Sequence, residues 1–77
     1  MEKKIIEILS KYIRDKELID QIQPESRLIR DLKINSARVI DVVLDVEDEF
    51  GIELDDDHVE EIVTFGDLAM LVAELKS

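Results

Sequence analysis

Apolar residues recur at three-and-four spacing over residues 3–15, where Ile5, Ile6, Leu9, Tyr12 and Ile13 fall on one side. That spacing predicts an amphipathic helix. Lys4, Glu7, Lys11 and Arg14 fill the opposite side, a mixed-charge face that reads as ordinary solvent surface. The period is lost over residues 16–35. Pro24 disfavours a helix through this stretch, and a connection so long is uncommon in a compact domain. It carries Leu18, Ile19, Ile22, Leu28, Ile29, Leu32 and Ile34, too many to leave in water. It is therefore expected to pack along the helices, with a helical turn near Arg27–Asp31. The chain has no Gly/Ser-rich or low-complexity stretch that would mark a domain linker, and no internal repeat.

The second helix is predicted over residues 36–50. Val39, Ile40, Val42, Val43 and Val46 form a β-branched cluster that by propensity suits a strand. The charges decide for a helix: Arg38, Asp41, Asp45 and Asp48 share one narrow arc at about 100° per residue, and Val39, Val43, Val46 and Phe50 lie opposite. Asn35 is a good N-cap, because its side-chain oxygen can accept a free backbone N–H. Gly51 is a good stop, because it takes a positive φ cheaply. Asp55, Asp56 and Asp57 suit the start of a short third helix with a thin apolar edge of Val59 and Ile62. Thr64 and Asp67 resemble a capping box ahead of a fourth helix, with Leu68, Leu71, Val72 and Leu75 inward. The fold class expected is all-α: a small four-helix bundle with a long first loop, a short third helix and no sheet.

A chain of 77 residues is read as a single domain, 1–77, near the lower limit for a core without staples. With no cysteine there is neither a disulfide framework nor a Cys-type zinc site, and one histidine, His58, cannot build a histidine-rich metal site. No apolar run approaches a membrane span, and Glu7 and Lys11 interrupt any signal-peptide apolar region. A soluble, cytoplasmic protein is expected.

The net charge is −10, which disfavours nucleic acid and anionic membrane surfaces and favours basic protein surfaces as partners. The charge is unevenly spread. Residues 1–34 carry 8 bases and 7 acids, residues 35–61 carry 1 and 11, and residues 62–77 carry 1 and 2, for nets of +1, −10 and −1. A solvated acidic face is one meaning of such a run. Its concentration directly after Ser36 points to a docking surface, and the like charge argues for a monomer.

No catalytic residues are assigned. Ser36 and His58 lack a third, orienting group for a triad, the carboxylates are too many and too exposed for general acid–base work, and the Asp55–Asp57 run lacks the alternate ligands and central glycine of an EF-hand loop. His58 reads as a surface residue. Ser36 by itself reads as a residue that helps to cap the second helix.

From Asp31 onward the chain resembles an acyl carrier protein. Those carriers have a D-S-L motif at the start of the second helix, where this chain has Asn35-Ser36-Ala37, preceded by Asp31-Leu32. The apolar-acidic run Val39–Phe50, the segment Gly51-Ile52-Glu53-Leu54 and the segment Thr64-Phe65-Gly66-Asp67-Leu68 match the family's later signposts. Residues 1–30 match in length and pattern.

The resemblance implies that Ser36 carries 4′-phosphopantetheine, attached by a separate phosphopantetheinyl transferase using coenzyme A, and that the arm's thiol holds an acyl group as a thioester. The protein is then a carrier and no enzyme. Arg38, Asp41, Asp45, Glu47 and Asp48 would dock basic patches on acyl-loading and acyl-transferring enzymes of fatty-acid, lipid or polyketide-type biosynthesis. The pattern departs at Asn35 and Arg38, where the family commonly has acids, at Ala37, where it has leucine, and at Asp55, where proline is common. These departures imply a specialised carrier with dedicated partners, in which Arg38 steadies the phosphate by a charge-assisted bond. Two alternatives stand beside this reading: a carrier of aminoacyl or peptidyl units, and an acidic interaction module of the same fold with no prosthetic group.

Overall fold

The structure is a computed structural model that describes residues 2–76. Helix α1 spans Glu2–Ser10 and buries Ile5, Ile8 and Leu9. It is shorter than the period suggests. Lys11 and Tyr12 donate their amides to Ile8 and Leu9 oxygens three residues back, at 3.3 and 2.9 Å, which tightens and closes the last turn. Ile13 is still buried, but from a non-helical turn, so Lys11 and Arg14 leave the helical face on which the spacing had placed them. Ile8, absent from the expected stripe, is buried at 5% exposure.

The long connection is interrupted by a single-turn helix, α2 (Lys16–Ile19), capped by Asp15, whose carboxylate accepts the Glu17 amide at 3.0 Å. It escapes sequence reading because it is too short to show a period. The expected turn at Arg27–Asp31 is present, with the Asp31 amide donating to the Arg27 carbonyl at 2.9 Å. Leu28, Leu32 and Ile34 enter the core, Leu18, Ile19 and Ile22 pack against it, and Ile29 stays exposed.

A short 3-10 turn, Ser36–Arg38, leads into α3 (Val39–Phe50). Val42, Val43, Val46 and Phe50 are buried; Val42 is taken up in place of Val39, which is half-buried at the helix start. Gly51 stops the helix at φ 64°, its amide bonded to the Glu47 carbonyl. Helix α4 (Asp56–Glu61) begins with a reciprocal cap: Asp55 Oδ1 accepts the His58 amide at 2.9 Å, and His58 Nδ1 accepts the Asp55 amide at 3.4 Å. His58 thus has a local structural task.

Helix α5 (Phe65–Lys76) buries Phe65, Leu68, Leu71 and Val72. Leu75, expected inward, lies at the rim with 36% exposure.

Among the described residues the sole β-pairing is an isolated antiparallel bridge between Arg27 and Thr64. It belongs to a seam that ties the loop to the α4–α5 junction: Leu28 donates to the Val63 carbonyl at 3.0 Å, Phe65 to Ser26 at 2.8 Å and Gly66 to Pro24 at 2.8 Å. The core between these layers holds no buried polar or charged residue among those described. Its fully enclosed members Ile5, Leu9, Ile34, Val42, Val46, Leu68 and Val72 come from α1, the loop, α3 and α5. Each such side chain contributes about 1.5–3 kcal/mol on removal from water.

Candidate functional site

Ser36 stands on an anchored segment. The buried side chains of Leu32 and Ile34 grip the core on either side of Lys33, and the Ile34 amide bonds the Leu28 carbonyl at 3.1 Å. Lys33 lies between them at φ 60°, the sole non-glycine residue with positive φ among those described. This conformation costs a lysine about 1–2 kcal/mol. The capping is done by Asn35, whose Oδ1 accepts the Ala37 amide at 2.9 Å while its carbonyl accepts the Arg38 amide at 2.8 Å. Ser36 is exposed and its hydroxyl makes no hydrogen bond among the described residues. Asn35 rather than Ser36 is the cap, so the hydroxyl is left free.

The charged residues after it divide by environment. Arg38 Nη1 pairs with Asp41 Oδ2 at 3.0 Å on open surface. Asp48 is exposed, with no ion pair or side-chain hydrogen bond among the described residues. Asp45 is half-buried between α3 and α1: Tyr12 Oη donates to its Oδ2 at 2.5 Å, and Lys11 Nζ lies 3.5 Å from the same oxygen. That hydrogen bond, with burial and the Asp45 and Asp41 charges behind it, pushes the Tyr12 pKa from 10.0 up to about 12. Glu47 Oε2 accepts the Leu54 amide at 2.7 Å and so fixes the segment after Gly51. Asp41, Asp48 and Arg38 therefore face outward, whereas Asp45 and Glu47 hold parts of the fold together. Tyr12, read from the pattern as an apolar core residue, is the polar link that the sequence did not reveal.

Two clefts meet at the Arg38–Val39 boundary and share no lining residue. One, of about 260 Å³, is lined by Leu28, Ile29, Val39, Ile62 and Val63 together with Arg27 and Arg30. The other, of about 720 Å³, is lined by Lys11, Tyr12, Ile13, Arg14, Lys33, Asn35 and Arg38. A mainly apolar hollow and a cationic one thus flank the turn that carries Ser36. Ile40 and Leu44, one helical turn apart on α3, add exposed apolar surface at 57% and 53% exposure.

A family model described as a phosphopantetheine attachment site matches residues 3–72. The acyl carrier protein of Helicobacter pylori (strain G27) is 32% identical over 56 residues, covering 73% of this chain and 72% of that protein. The acyl carrier protein of Thermotoga maritima is 40% identical over 52 residues, covering 68% of this chain and 64% of that protein. The chain belongs to the acyl carrier protein family. Acyl carriers are carriers and not enzymes, and their covalently bound group is 4′-phosphopantetheine.

The residues of this acyl carrier suit that group. A free, exposed hydroxyl at the first turn of a helix accepts a substituent without losing a cap or disturbing the core. The N-terminal end of the helix favours the negative phosphodiester that such a substituent brings. No helix among the described residues is long and apolar enough to cross a membrane.

Proposed function

We propose that this acyl carrier is a single carrier domain, residues 1–77, that holds acyl intermediates as thioesters on 4′-phosphopantetheine attached to Ser36. It presents them to enzymes of fatty-acid, lipid or polyketide-type biosynthesis. The observation that carries the reading is the unengaged Ser36 hydroxyl, set free by the Asn35 cap within the region that matches the attachment-site family. During loading, Ser36 Oγ forms the bond to phosphorus as the pyrophosphate bond of coenzyme A breaks. Adenosine 3′,5′-bisphosphate leaves, and the serine proton passes to the phosphopantetheinyl transferase or to water. Once attached, the group supplies a thiol on a long tether, which a chain without cysteine lacks.

The apolar cleft beside Val39 supports acyl cargo over aminoacyl or peptidyl cargo, since its lining offers a hydrocarbon chain shelter and a charged amine nothing. Arg38, Asp41 and Asp48 are the outward members of the docking face. Asp45 and Glu47 contribute their charge from half-buried positions. Basic patches at partner-enzyme entrances would meet this face, with encounter hastened by the field of α3. The placement of Arg38 supports dedicated partners, because it puts a cation where a general acyl-carrier partner would meet an acid.

The test is the intact mass after incubation with coenzyme A, magnesium and a broad-specificity phosphopantetheinyl transferase. A gain of one phosphopantetheine is expected, and none for Ser36→Ala. No gain with several transferases would sink the carrier reading in favour of an acidic interaction module.

A further inference from the structure

The cationic cleft is a feature that an acidic carrier does not need for docking to basic partners. Its four bases come from three places: Lys11 and Arg14 from the turn after α1, Lys33 from the loop, and Arg38 from the 3-10 turn. Lys11 is partnered by Asp45 and Arg38 by Asp41. Arg14 and Lys33 have no ion pair or side-chain hydrogen bond among the described residues. The acids nearest to them along the chain are turned to other work: the Asp15 carboxylate caps α2 and the Asp31 carboxylate accepts the Arg27 amide at 2.8 Å. Counting the four bases against Asp41 and Asp45 leaves two positive charges in a protein whose net charge is −10. Lys33 is in addition held at a φ that lysine rarely adopts, between two buried anchors. Strain of this kind persists where the surrounding structure imposes it, and it concentrates at binding sites.

We infer that this cleft is an anion seat for the phosphodiester of the group carried on Ser36. The inference rests on the Ser36 reading and adds a location for the charge. Asn35 and Arg38, the residues before and two after the serine, line the cleft, so a phosphate on Ser36 sits at its rim. Arg14 and Lys33 are the bases still available to it, and Arg38 can share itself between the phosphate and Asp41. The base of the arm is then held on the α1 side, while the apolar cleft across the Arg38–Val39 boundary stays open to the far end of the cargo. Without such a seat, a further negative charge on this protein would weaken the folded state by self-repulsion.

The experiment compares apo and loaded protein, each confirmed by intact mass, for the wild type and for the double variant Arg14→Gln/Lys33→Gln. At low ionic strength the loaded wild type is expected to melt about 4 °C above its apo form. That gain should largely vanish in about 0.5 M NaCl and in the double variant. The phosphorus NMR resonance of the loaded wild type should likewise differ from that of the loaded double variant, which should approach the position in urea-unfolded protein. Apo protein titrated with inorganic phosphate completes the set. Failure to load overturns the Ser36 reading and this inference with it. Normal loading, with neither the melting gain nor the phosphorus shift dependent on Arg14 and Lys33, overturns the inference alone. A response to inorganic phosphate without any response to loading would show an anion site that does not serve the arm, and also overturns it.

Discussion

At the scale of single residues, the contacts that matter most are polar bonds at the edge of an apolar core. Tyr12 and Asp45 join the turn after α1 to α3 through one short hydrogen bond to a carboxylate. Tyr12→Phe should cost about 1.5 kcal/mol, the lower end for a charge-assisted bond because the pair is only half-buried. The effect has a pH signature. The folded-state pKa of Tyr12 is raised from 10.0 to about 12. Its stabilising bond is therefore fully present below the unfolded value and is lost as pH rises from 10.0 through about 12. Urea midpoints should show the wild type losing its advantage over Tyr12→Phe across that window; parallel curves for the two proteins would refute the link. Gly66 is constrained by a neighbour. A Cβ there would lie 2.8 Å from the Pro24 carbonyl oxygen, and that oxygen is held in place by the Gly66 amide itself. Gly66→Ala should destabilise by about 1–3 kcal/mol through overpacking, read as a lower denaturant midpoint. The glycine is visible in the sequence, but the carbonyl that demands it is not.

At the scale of elements, the helix ends do much of the specifying. Asp67 Oδ2 accepts the Val63 and Thr64 amides at 3.0 Å each, and Thr64 Oγ1 accepts the Asp67 amide at 3.0 Å. These bonds, the Thr64 amide first, hold the Asp67 carboxyl below its ordinary 3.8. A lowered acid contributes stability that is present above 3.8 and fades as pH falls through the folded value. Asp67→Ala should cost about 1–2 kcal/mol near neutral pH, and the cost should shrink as pH falls below 3.8 through the lower folded value. An undiminished gap in acid would show that the cap acts by something other than its charge. The Asn35, Gly51, Asp55 and Thr64–Asp67 devices were all legible from the chain, because each closes within four residues. The end of α1 was not. No glycine or proline marks it, and the turn after Ser10 follows from Tyr12 and Ile13 having to meet α3 and the core.

At the scale of the whole molecule, charge is segregated. The acidic excess lies after residue 34, and three of the eight bases before it, Lys11, Arg14 and Lys33, line one cleft with Arg38. The pairs Lys4–Glu49 and Lys11–Asp45, each at 3.5 Å, bring some of these charges together. Exposed pairs of this kind contribute about 0–1 kcal/mol, too little to offset a net −10. Apo protein should therefore melt higher as NaCl is raised from about 0.01 to 0.15 M, as self-repulsion is screened. A melting temperature that falls with salt would mean that the ion pairs dominate instead.

The sequence by itself determined the helical class, the existence of the four longer helices, the caps that open the last three, the Gly51 stop, and the motifs that mark an acyl carrier, because helical period, capping and motif spacing are properties of neighbouring residues. Only the tertiary structure decided which of the acids face outward and which hold the fold. It alone showed that Tyr12 serves Asp45. It alone brought Lys11, Arg14, Lys33 and Arg38 into one cleft. The physical reason is that these relations depend on where separate elements meet. That is set by the joint burial of side chains far apart along the chain, which no local pattern encodes.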